Sequence, residues 1–242
     1  MEIILANNQS MFDEEAANQV LLQLKKKPES VIAFATGGTP EGMYKKLAAL
    51  YRNGNIDFSQ IHAFNLDEFA DIDCSHENSF FSFLKTNLYD SLNIKPRHIH
   101  PIRFTGSEEA CTDYENEIKN HGGIDFAILG IGLNGHIGYN EPGTAFDSKT
   151  HLVQLTEQTI QSNSKLFKDF DIPKRGITMG IKTIMNARKI MLLANGEEKA
   201  EMIYKALYGR VSEEIPASIL QLHSNLVVVL DERAAKYLKE IA

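Results

Sequence analysis

The chain of 242 residues has a globular composition, 43% hydrophobic and 24% charged, and it is long enough to bury a core as one domain. Its formal net charge of −7 argues against a nucleic-acid-binding surface, which would carry a basic stripe. Cys74 and Cys111 form no C-x-x-C pair, and neither a signal-peptide pattern nor a membrane-spanning pattern is present. We therefore expect a cytoplasmic protein without a zinc knuckle or a disulfide framework.

Short apolar runs alternate along the chain with helical patterns. The predicted strands are residues 31–36, 61–66, 124–130, 189–195 and 225–231. The predicted helices are residues 40–51, 77–90, 196–207 and 232–241. The apolar runs lack polar alternation, which is typical of parallel strands covered on both faces. This order predicts a single α/β domain over residues 1–242, a Rossmann-like three-layer sandwich with a mostly parallel central sheet.

The first apolar run ends in TGGTP, residues 36–40, at the position where such sheets bind ligands. Gly37 and Gly38 allow the backbone to approach a ligand, Thr39 is placed to cap the next helix, and Pro40 suits its first turn. Free N–H groups and the helix dipole would make an anion site here. A well-capped turn with no ligand would use the same residues.

The second apolar run ends in LDEF, residues 66–69. Neighbouring side chains in a strand point to opposite faces, so at most one of Asp67 and Glu68 would face a given pocket. The residue that does so is a candidate general base. The alternative is that both carboxylates are solvated at the end of the strand.

The third apolar run leads into GIGLNGHIGYNEPGT, residues 130–144. Its first residues fit the G-x-G-x-x-G of a dinucleotide-binding turn, but Gly138 and Pro142 interrupt the helix that such a turn must open. We therefore reject the dinucleotide interpretation. The loop instead holds His136 near Glu141, a pair in which an imidazole moves protons and a carboxylate orients it. A structural loop histidine is the alternative.

Two lysines and two further histidines are the remaining candidates for site residues. Lys199 lies near the start of a predicted helix, where the helix dipole disfavours a cation unless an anion shares the site. The neighbouring Glu197 and Glu198 could equally be its partners, and Lys165 has no such signal of its own. His98 and His100, in RHIHP, would share one face of a strand, but no third ligand has metal-site spacing. We interpret these two histidines as structural or pocket-lining residues.

Taken together, the motifs resemble those of the glucosamine-6-phosphate deaminases. TGGTP, NLDEF, GLNGHIGYNEPGT, SNSKLF, ITMGIKTI and NGEEKA occur in the family's order and spacing, and they span nearly the whole chain. The resemblance implies the conversion of glucosamine 6-phosphate and water to fructose 6-phosphate and ammonia. It also implies that the reaction needs neither a metal nor an organic cofactor.

The resemblance further assigns roles by position. It implies that His136 opens the sugar ring, supported by Asn134 and Glu141. Asp67 would then remove the proton on C2 and return one to C1 through an enolamine. The residues implied to hold the 6-phosphate are Thr36, Gly37, Gly38, Thr39, Lys165 and Lys199.

The chain departs from the hexameric, allosteric members of that family at several positions. Asn134 replaces an aspartate, and an asparagine can accept a hydrogen bond from an imidazole N–H but supplies no full charge. Lys165 replaces an arginine. Where those members bind an effector phosphate with hydroxyl and basic side chains, this chain has Thr144, Ala145, His151 and Val153. We therefore expect a monomer that N-acetylglucosamine 6-phosphate does not activate, with a small-molecule substrate and neither nucleic acid nor membrane as partner.

Two other functions fit the same fold. A 6-phosphogluconolactonase shares the G-x-x-G-H loop, but lactone hydrolysis removes no carbon-bound proton, so LDEF and NEP favour the deaminase. A non-catalytic sugar-phosphate sensor would keep the TGGTP turn while its proton-transfer residues drifted. The presence of Asp67, His136 and Glu141 argues against the sensor.

Overall fold

The computed structural model describes residues 1–164, 167 and 172–238. The strands of this part of the chain are β1 (Glu2–Ala6), β2 (Val31–Phe34), β3 (His62–Asn65), β4 (Asp67–Phe69), β5 (Ile99–His100), β6 (Phe126–Gly130), β7 (His151–Gln154), β8 (Arg175–Thr178), β9 (Ile190–Ala194) and β10 (Leu226–Asp231). The α-helices are α1 (Gln9–Lys26), α2 (Glu41–Arg52), α3 (Phe80–Asn87), α4 (Glu109–Asn120), α5 (Glu157–Asn163), α6 (Ile181–Met185) and α7 (Ala200–Tyr208).

The main sheet has seven strands in the order β1-β10-β9-β6-β2-β3-β5, and every pair is parallel. A smaller antiparallel sheet, which the sequence did not predict, has the order β4-β8-β7. A helix that could cross a membrane is absent from the described residues. The main sheet confirms the predicted Rossmann-like fold with a mostly parallel central sheet.

The central strands are mainly apolar because both faces of the main sheet are covered. In β2, Val31 and Ala33 belong to one buried cluster, and Ile32 and Phe34 belong to the cluster on the opposite face. Helices α1, α2 and α3 contribute to the second cluster, and α4, α6 and α7 to the first. Alternate side chains of each strand therefore enter different cores, which gives the three layers.

The predicted strands are all present and are shorter than predicted by one or two residues. The helix predicted over residues 232–241 is wrong where the structure describes it, because residues 232–238 form successive turns. The N–H groups of Lys236 and Leu238 bond to carbonyls only three residues back. Asp231 holds the start of this segment in place, since its Oδ1 accepts the N–H of Ala234 at 2.7 Å and that of Gly196 at 3.1 Å.

The strand order places a crevice between β2 and β6. From β2 the sheet continues to β3 and β5 on one side, whereas β6, β9, β10 and β1 lie on the other. Successive strands are therefore added on opposite sides of this pair, which makes it a topological switch point. In such folds, ligands bind at the switch point, beyond the carboxyl ends of the strands. The loops that follow β2 and β6 both border this point.

Candidate active site

A cavity of about 750 Å³ lies at this crevice. Its walls include residues 36–39 after β2, residues 66–67 after β3, residues 130–133 after β6, and residues 198–199 after β9. Parallel strands end at the same edge of a sheet, so residues far apart in the sequence meet there. The volume is in the range of small-molecule sites.

The turn after β2 forms one end of the cavity. The residues of this turn that line the cavity are Thr36, Gly37, Gly38 and Thr39. The side on which Gly37 and Gly38 would carry a Cβ is open, so a ligand can approach their backbone. The prediction that Thr39 caps α2 is wrong: its hydroxyl donates to Asn195 Oδ1 at 3.2 Å, and Pro40 takes the N-cap position. The start of α2 therefore has no side-chain cap, and its helix dipole favours an anion at this end.

Lys199 brings an ammonium group to the same cavity from the loop after β9. It ends a 3-10 helix, Glu197–Lys199, that precedes α7. Its Nζ donates to the carbonyl of Ile131 at 2.6 Å, whereas Glu197 is paired with Lys236. Burial lowers the pKa of Lys199, and the nearby Glu198 opposes that shift. Lys165, the other lysine predicted to bind the phosphate, lies outside the described residues.

Asp67 reaches the cavity from β4 and is buried, with 7% of its surface exposed. Burial, and next the charge of Glu68, raise the pKa of Asp67 to about 8. The loop after β6 packs closely on it: a Cβ at Gly138 would lie 3.6 Å from Asp67 Oδ2 and 2.8 Å from Thr178 Oγ1. Gly138 also has a φ of +56°, so only glycine suits this approach to the carboxylate.

Glu68 points away from the cavity and has a structural role. Its carboxylate accepts the backbone N–H groups of Phe69, Phe80 and Phe81, each at 2.9 Å, and so caps the first turn of α3. Burial raises the pKa of Glu68 to about 7, and these three hydrogen bonds pull it down. As expected for neighbours in a strand, only one of the two carboxyl groups lines the cavity.

His136 faces the cavity from the loop after β6. Its Nδ1 lies 3.5 Å from Glu141 Oε2 and 3.4 Å from Thr159 Oγ1. The imidazole occupies the space that a side chain at Gly132 would need, because a Cβ there would lie 2.4 Å from the ring. Burial raises the pKa of Glu141, but hydrogen bonds from His136, Thr159 and Asn134 outweigh it and hold that pKa at about 2. Glu141 is therefore a fixed anion beside the imidazole.

Asn134 positions Glu141 rather than the imidazole. Its Nδ2 donates to Glu141 Oε2 at 2.7 Å, and its Oδ1 accepts the backbone N–H of His136 at 3.2 Å. The interpretation that Asn134 accepts the imidazole N–H is therefore wrong. The charged oxygen of Glu141 is the better acceptor and lies on the Nδ1 side of the ring.

Two threonines at the start of α5 belong to the site and were missed from the sequence. Thr156 donates to Glu141 Oε1 through both its N–H and its hydroxyl, each at 3.2 Å, and Thr159 contacts His136. Thr156 is the N-cap of α5 and accepts the N–H of Thr159. This T-x-x-T pattern can indicate a helix start from sequence, but it carries no information on the contact with Glu141.

The comparisons with known proteins agree over almost the full chain. Residues 8–229 match a family described as glucosamine-6-phosphate isomerases/6-phosphogluconolactonase. A glucosamine-6-phosphate deaminase of Clostridium novyi (strain NT) is 47% identical over 241 residues, which cover 98% of this chain and 100% of the relative. The corresponding deaminase of Clostridium acetobutylicum is 46% identical over 241 residues, with the same coverage.

Solved structures show the same fold. A monomeric glucosamine-6-phosphate deaminase has a TM-score of 0.94 and 39% identity, covering 98% of this chain and 99% of its own. A 6-phosphogluconolactonase from Thermotoga maritima has a TM-score of 0.75 and 21% identity, covering 96% of this chain and 99% of its own. At that identity the second likeness shows the fold alone.

Proposed function

The chain belongs to the family of glucosamine-6-phosphate isomerases and 6-phosphogluconolactonases, and on this premise we propose that it is a glucosamine-6-phosphate deaminase. The enzyme converts glucosamine 6-phosphate and water to fructose 6-phosphate and ammonia. One observation carries this assignment for the site: a buried carboxyl group, an imidazole held beside a carboxylate, and a glycine-containing turn all line one cavity. Their roles, which follow, are part of the proposal.

The phosphate end of the substrate binds at the turn after β2. Residues 36–39 line this end of the cavity, their backbone N–H groups are the proposed phosphate donors, and Lys199 adds a positive charge. Holding the phosphate here fixes the other end of the sugar near Asp67 and His136. Binding energy from a group that does not react thus supports the orientation of the carbons that do.

His136 opens the pyranose ring. With Nδ1–H donated toward Glu141, Nε2 is the nitrogen that exchanges protons with the sugar. It removes the proton of the C1 hydroxyl and delivers a proton to the ring oxygen as the C1–O5 bond breaks, which leaves the open-chain aldehyde. Glu141, held by Asn134 and Thr156, keeps the ring orientation and stabilises its protonated form.

Asp67 transfers the proton between the two carbons. Its carboxylate removes the proton on C2 of the aldehyde while a proton of the C2 ammonium group passes to the aldehyde oxygen, which gives an enolamine, and the carboxyl group then protonates C1. The product of this step has an iminium group at C2, to which water adds before ammonia leaves. A base whose pKa is about 8 combines proton affinity with a usable deprotonated fraction near neutral pH.

The lactonase alternative gives Asp67 no chemical role, because ester hydrolysis needs no base at a carbon. The purified chain should be assayed for ammonia release from glucosamine 6-phosphate and for acid release from 6-phosphogluconolactone. We expect ammonia release that saturates with substrate, and lactone hydrolysis no faster than the spontaneous reaction. Catalysed lactone hydrolysis without ammonia release would overturn the assignment.

We also propose that the chain acts as a monomer in the cytoplasm. Support for the monomer comes from its likeness to a monomeric deaminase at 39% identity. Phosphorylated sugars do not cross membranes unaided, and both cysteines are free thiols, as is usual in reducing compartments. Light scattering should give the mass of one chain. The dependence of the rate on substrate concentration should be hyperbolic both with and without N-acetylglucosamine 6-phosphate. A hexamer with sigmoidal kinetics would contradict the proposal.

A further inference from the structure

Four histidines meet at the β3–β5 edge of the main sheet, outside the cavity described above. His62 begins β3, His100 ends β5 and His121 follows α4, whereas His98 ends a 3-10 helix and does not share a strand with His100 as predicted. The ring of His62 lies 4.3 Å from that of His98 and 4.2 Å from that of His121, centroid to centroid. The sequence places His62 and His100 38 residues apart, so local spacing gave no sign of this cluster.

We propose that His62, His100 and His121 bind one divalent transition-metal ion, with zinc as the preferred metal. Each of the three offers a ring nitrogen, and these nitrogens all lie within 4.8 Å of one another. His62 Nδ1 and His100 Nε2 face each other at 2.9 Å. Two imidazole nitrogens at that distance need a shared proton or a shared cation between them, and a zinc–nitrogen bond of about 2.0–2.1 Å requires only small rotations of the rings.

The outer hydrogen bonds of two of these histidines are those of metal ligands. Nδ1 of His100 lies 3.1 Å from the carboxylate of Glu117, and Nδ1 of His121 lies 2.9 Å from the backbone carbonyl of Glu117. Donation of both Nδ1 hydrogens to these oxygens leaves Nε2 of each ring as the atom with a free lone pair. Carboxylates and backbone carbonyls hold metal-binding histidines in this way in known sites.

The chemistry of the donor set selects the kind of ion. Imidazole nitrogen suits zinc, copper and nickel, whereas magnesium and calcium need oxygen ligands. Three protein nitrogens leave one position of a tetrahedral zinc ion for water.

The position of the cluster indicates a bracing role rather than a part in the reaction. His62 begins β3 and Asn65 ends it, so at about 3.3 Å per residue the two ends lie roughly 10 Å apart. Asp67 lies beyond that far end. A metal ion here would join β3, β5 and the end of α4, and α4 already contacts the active-site end of β3, since the hydroxyl of Tyr114 donates to the carbonyl of Asn65 at 2.7 Å.

The test uses zinc chloride and the full chain freed of metal with a chelator. Calorimetric titration, followed by metal analysis after gel filtration, should give one zinc ion per chain, and magnesium should not bind. We expect His100→Gln and His121→Gln to weaken zinc binding at least about tenfold, and Glu117→Gln to weaken it by about tenfold. His151→Gln is the matched control, because that ring lies on β7 and bonds to the carbonyl of Lys149. It should bind zinc as the unmodified chain does.

Two further readouts separate this site from other zinc-binding groups. X-ray absorption of the bound ion should show imidazole ligands at about 2.0 Å and no sulfur. Zinc at about 100 times its Kd should raise the Tm by roughly 5 °C or more, and His121→Gln should abolish that rise. Absence of stoichiometric binding, sulfur ligands, or unchanged affinity in both histidine variants would overturn the proposal. If His100→Gln does not fold, His121→Gln decides, since His121 follows a helix at a partly exposed position.

Discussion

Asp67 and Glu68 are consecutive residues of β4, but the Asp67 carboxyl group lines the cavity and the Glu68 carboxylate caps α3. These environments give Asp67 a position suited to chemistry and Glu68 a structural role. Burial raises both pKa values, but three N–H groups limit that of Glu68 to about 7, whereas the pKa of Asp67 reaches about 8. Among the described residues Asp67 has no such donors, and a buried carboxyl group in that position destabilises the fold, as is typical of a catalytic group.

Replacing Asp67 by asparagine should remove the base that moves the proton from C2 to C1. We expect kcat for ammonia release from glucosamine 6-phosphate to fall by about 10³-fold, within the range for the loss of a general base. Asp71→Asn is the matched control, because Asp71 is paired with Arg175 and does not line the cavity. If the Asp67→Asn variant kept more than a tenth of the normal kcat, Asp67 would not be the base.

The raised pKa of Asp67 also predicts how the rate depends on pH. The deprotonated form is the active one, so kcat/KM should rise about tenfold per pH unit below the pKa and level off above about 8. Initial rates between pH 6 and 9 check this expectation, each normalised to the folded fraction. A rate that is flat over that range would show that Asp67 ionises well below neutral pH in the free enzyme.

The same shift links Asp67 to the stability of the fold. Burial raises its pKa from 3.8 to about 8, so the folded state holds the proton more tightly than the unfolded state does. The resulting stability is fully present below pH 3.8 and is lost as the pH rises through about 8. Asp67→Asn cannot ionise, so at pH 8 it should be more stable than the unmodified chain by about 2 kcal/mol or more. Urea unfolding at pH 5 and pH 8 measures the difference, which should be larger at pH 8.

His136→Gln should affect ring opening more than the later steps. Glutamine keeps a polar side chain but does not exchange protons near neutral pH, so we expect kcat for glucosamine 6-phosphate to fall by about 10²-fold. An analogue that lacks the C5 hydroxyl cannot close the pyranose ring and should lose much less. Equal losses on both substrates would assign His136 to a step after ring opening.

Asn134→Asp would place a second carboxylate next to Glu141. Asn134 Nδ2 and Glu141 Oε2 are 2.7 Å apart, so two negative charges would meet there and the pair would take up a proton. We expect the variant to be less stable at pH 8 by about 1–3 kcal/mol, with part of that loss recovered at pH 5. Asn134→Ala should lose stability equally at both pH values, because it removes a donor without adding a charge.

Lys199→Met should weaken binding of the phosphate group. A charge-assisted hydrogen bond contributes about 1.5–3 kcal/mol, so we expect KM for glucosamine 6-phosphate to rise by about 10- to 100-fold. Inhibition by inorganic phosphate should weaken in parallel. Lys205→Met is the control, since Lys205 lies on α7 and pairs with Glu201. An unchanged KM for Lys199→Met would place the phosphate elsewhere.

The main sheet and the strand-end residues could be predicted because both depend on local patterns. Unbroken apolar runs indicate parallel strands, and the carboxyl ends of those strands must share one edge of the sheet. Asp67, His136 and the TGGTP turn follow directly from that geometry.

The features that the sequence did not reveal depend on contacts between distant segments. The strands of the small antiparallel sheet are only three or four residues long, too short to give a clear pattern. The partners of Glu141 in α5 and the meeting of His62, His100 and His121 arise only when the chain is folded. The segment after β10 has a helical sequence pattern. In the described residues it forms turns instead, which begin with the hydrogen bond from the Ala234 N–H to Asp231.

The most direct test of the central claim is a crystal structure with the open-chain amino-alditol 6-phosphate made by reducing glucosamine 6-phosphate at C1. We predict that its phosphate contacts residues 36–39 and Lys199, with C2 within about 3.5 Å of the Asp67 carboxylate. A phosphate bound elsewhere, or a C2 atom out of reach of Asp67, would contradict the account.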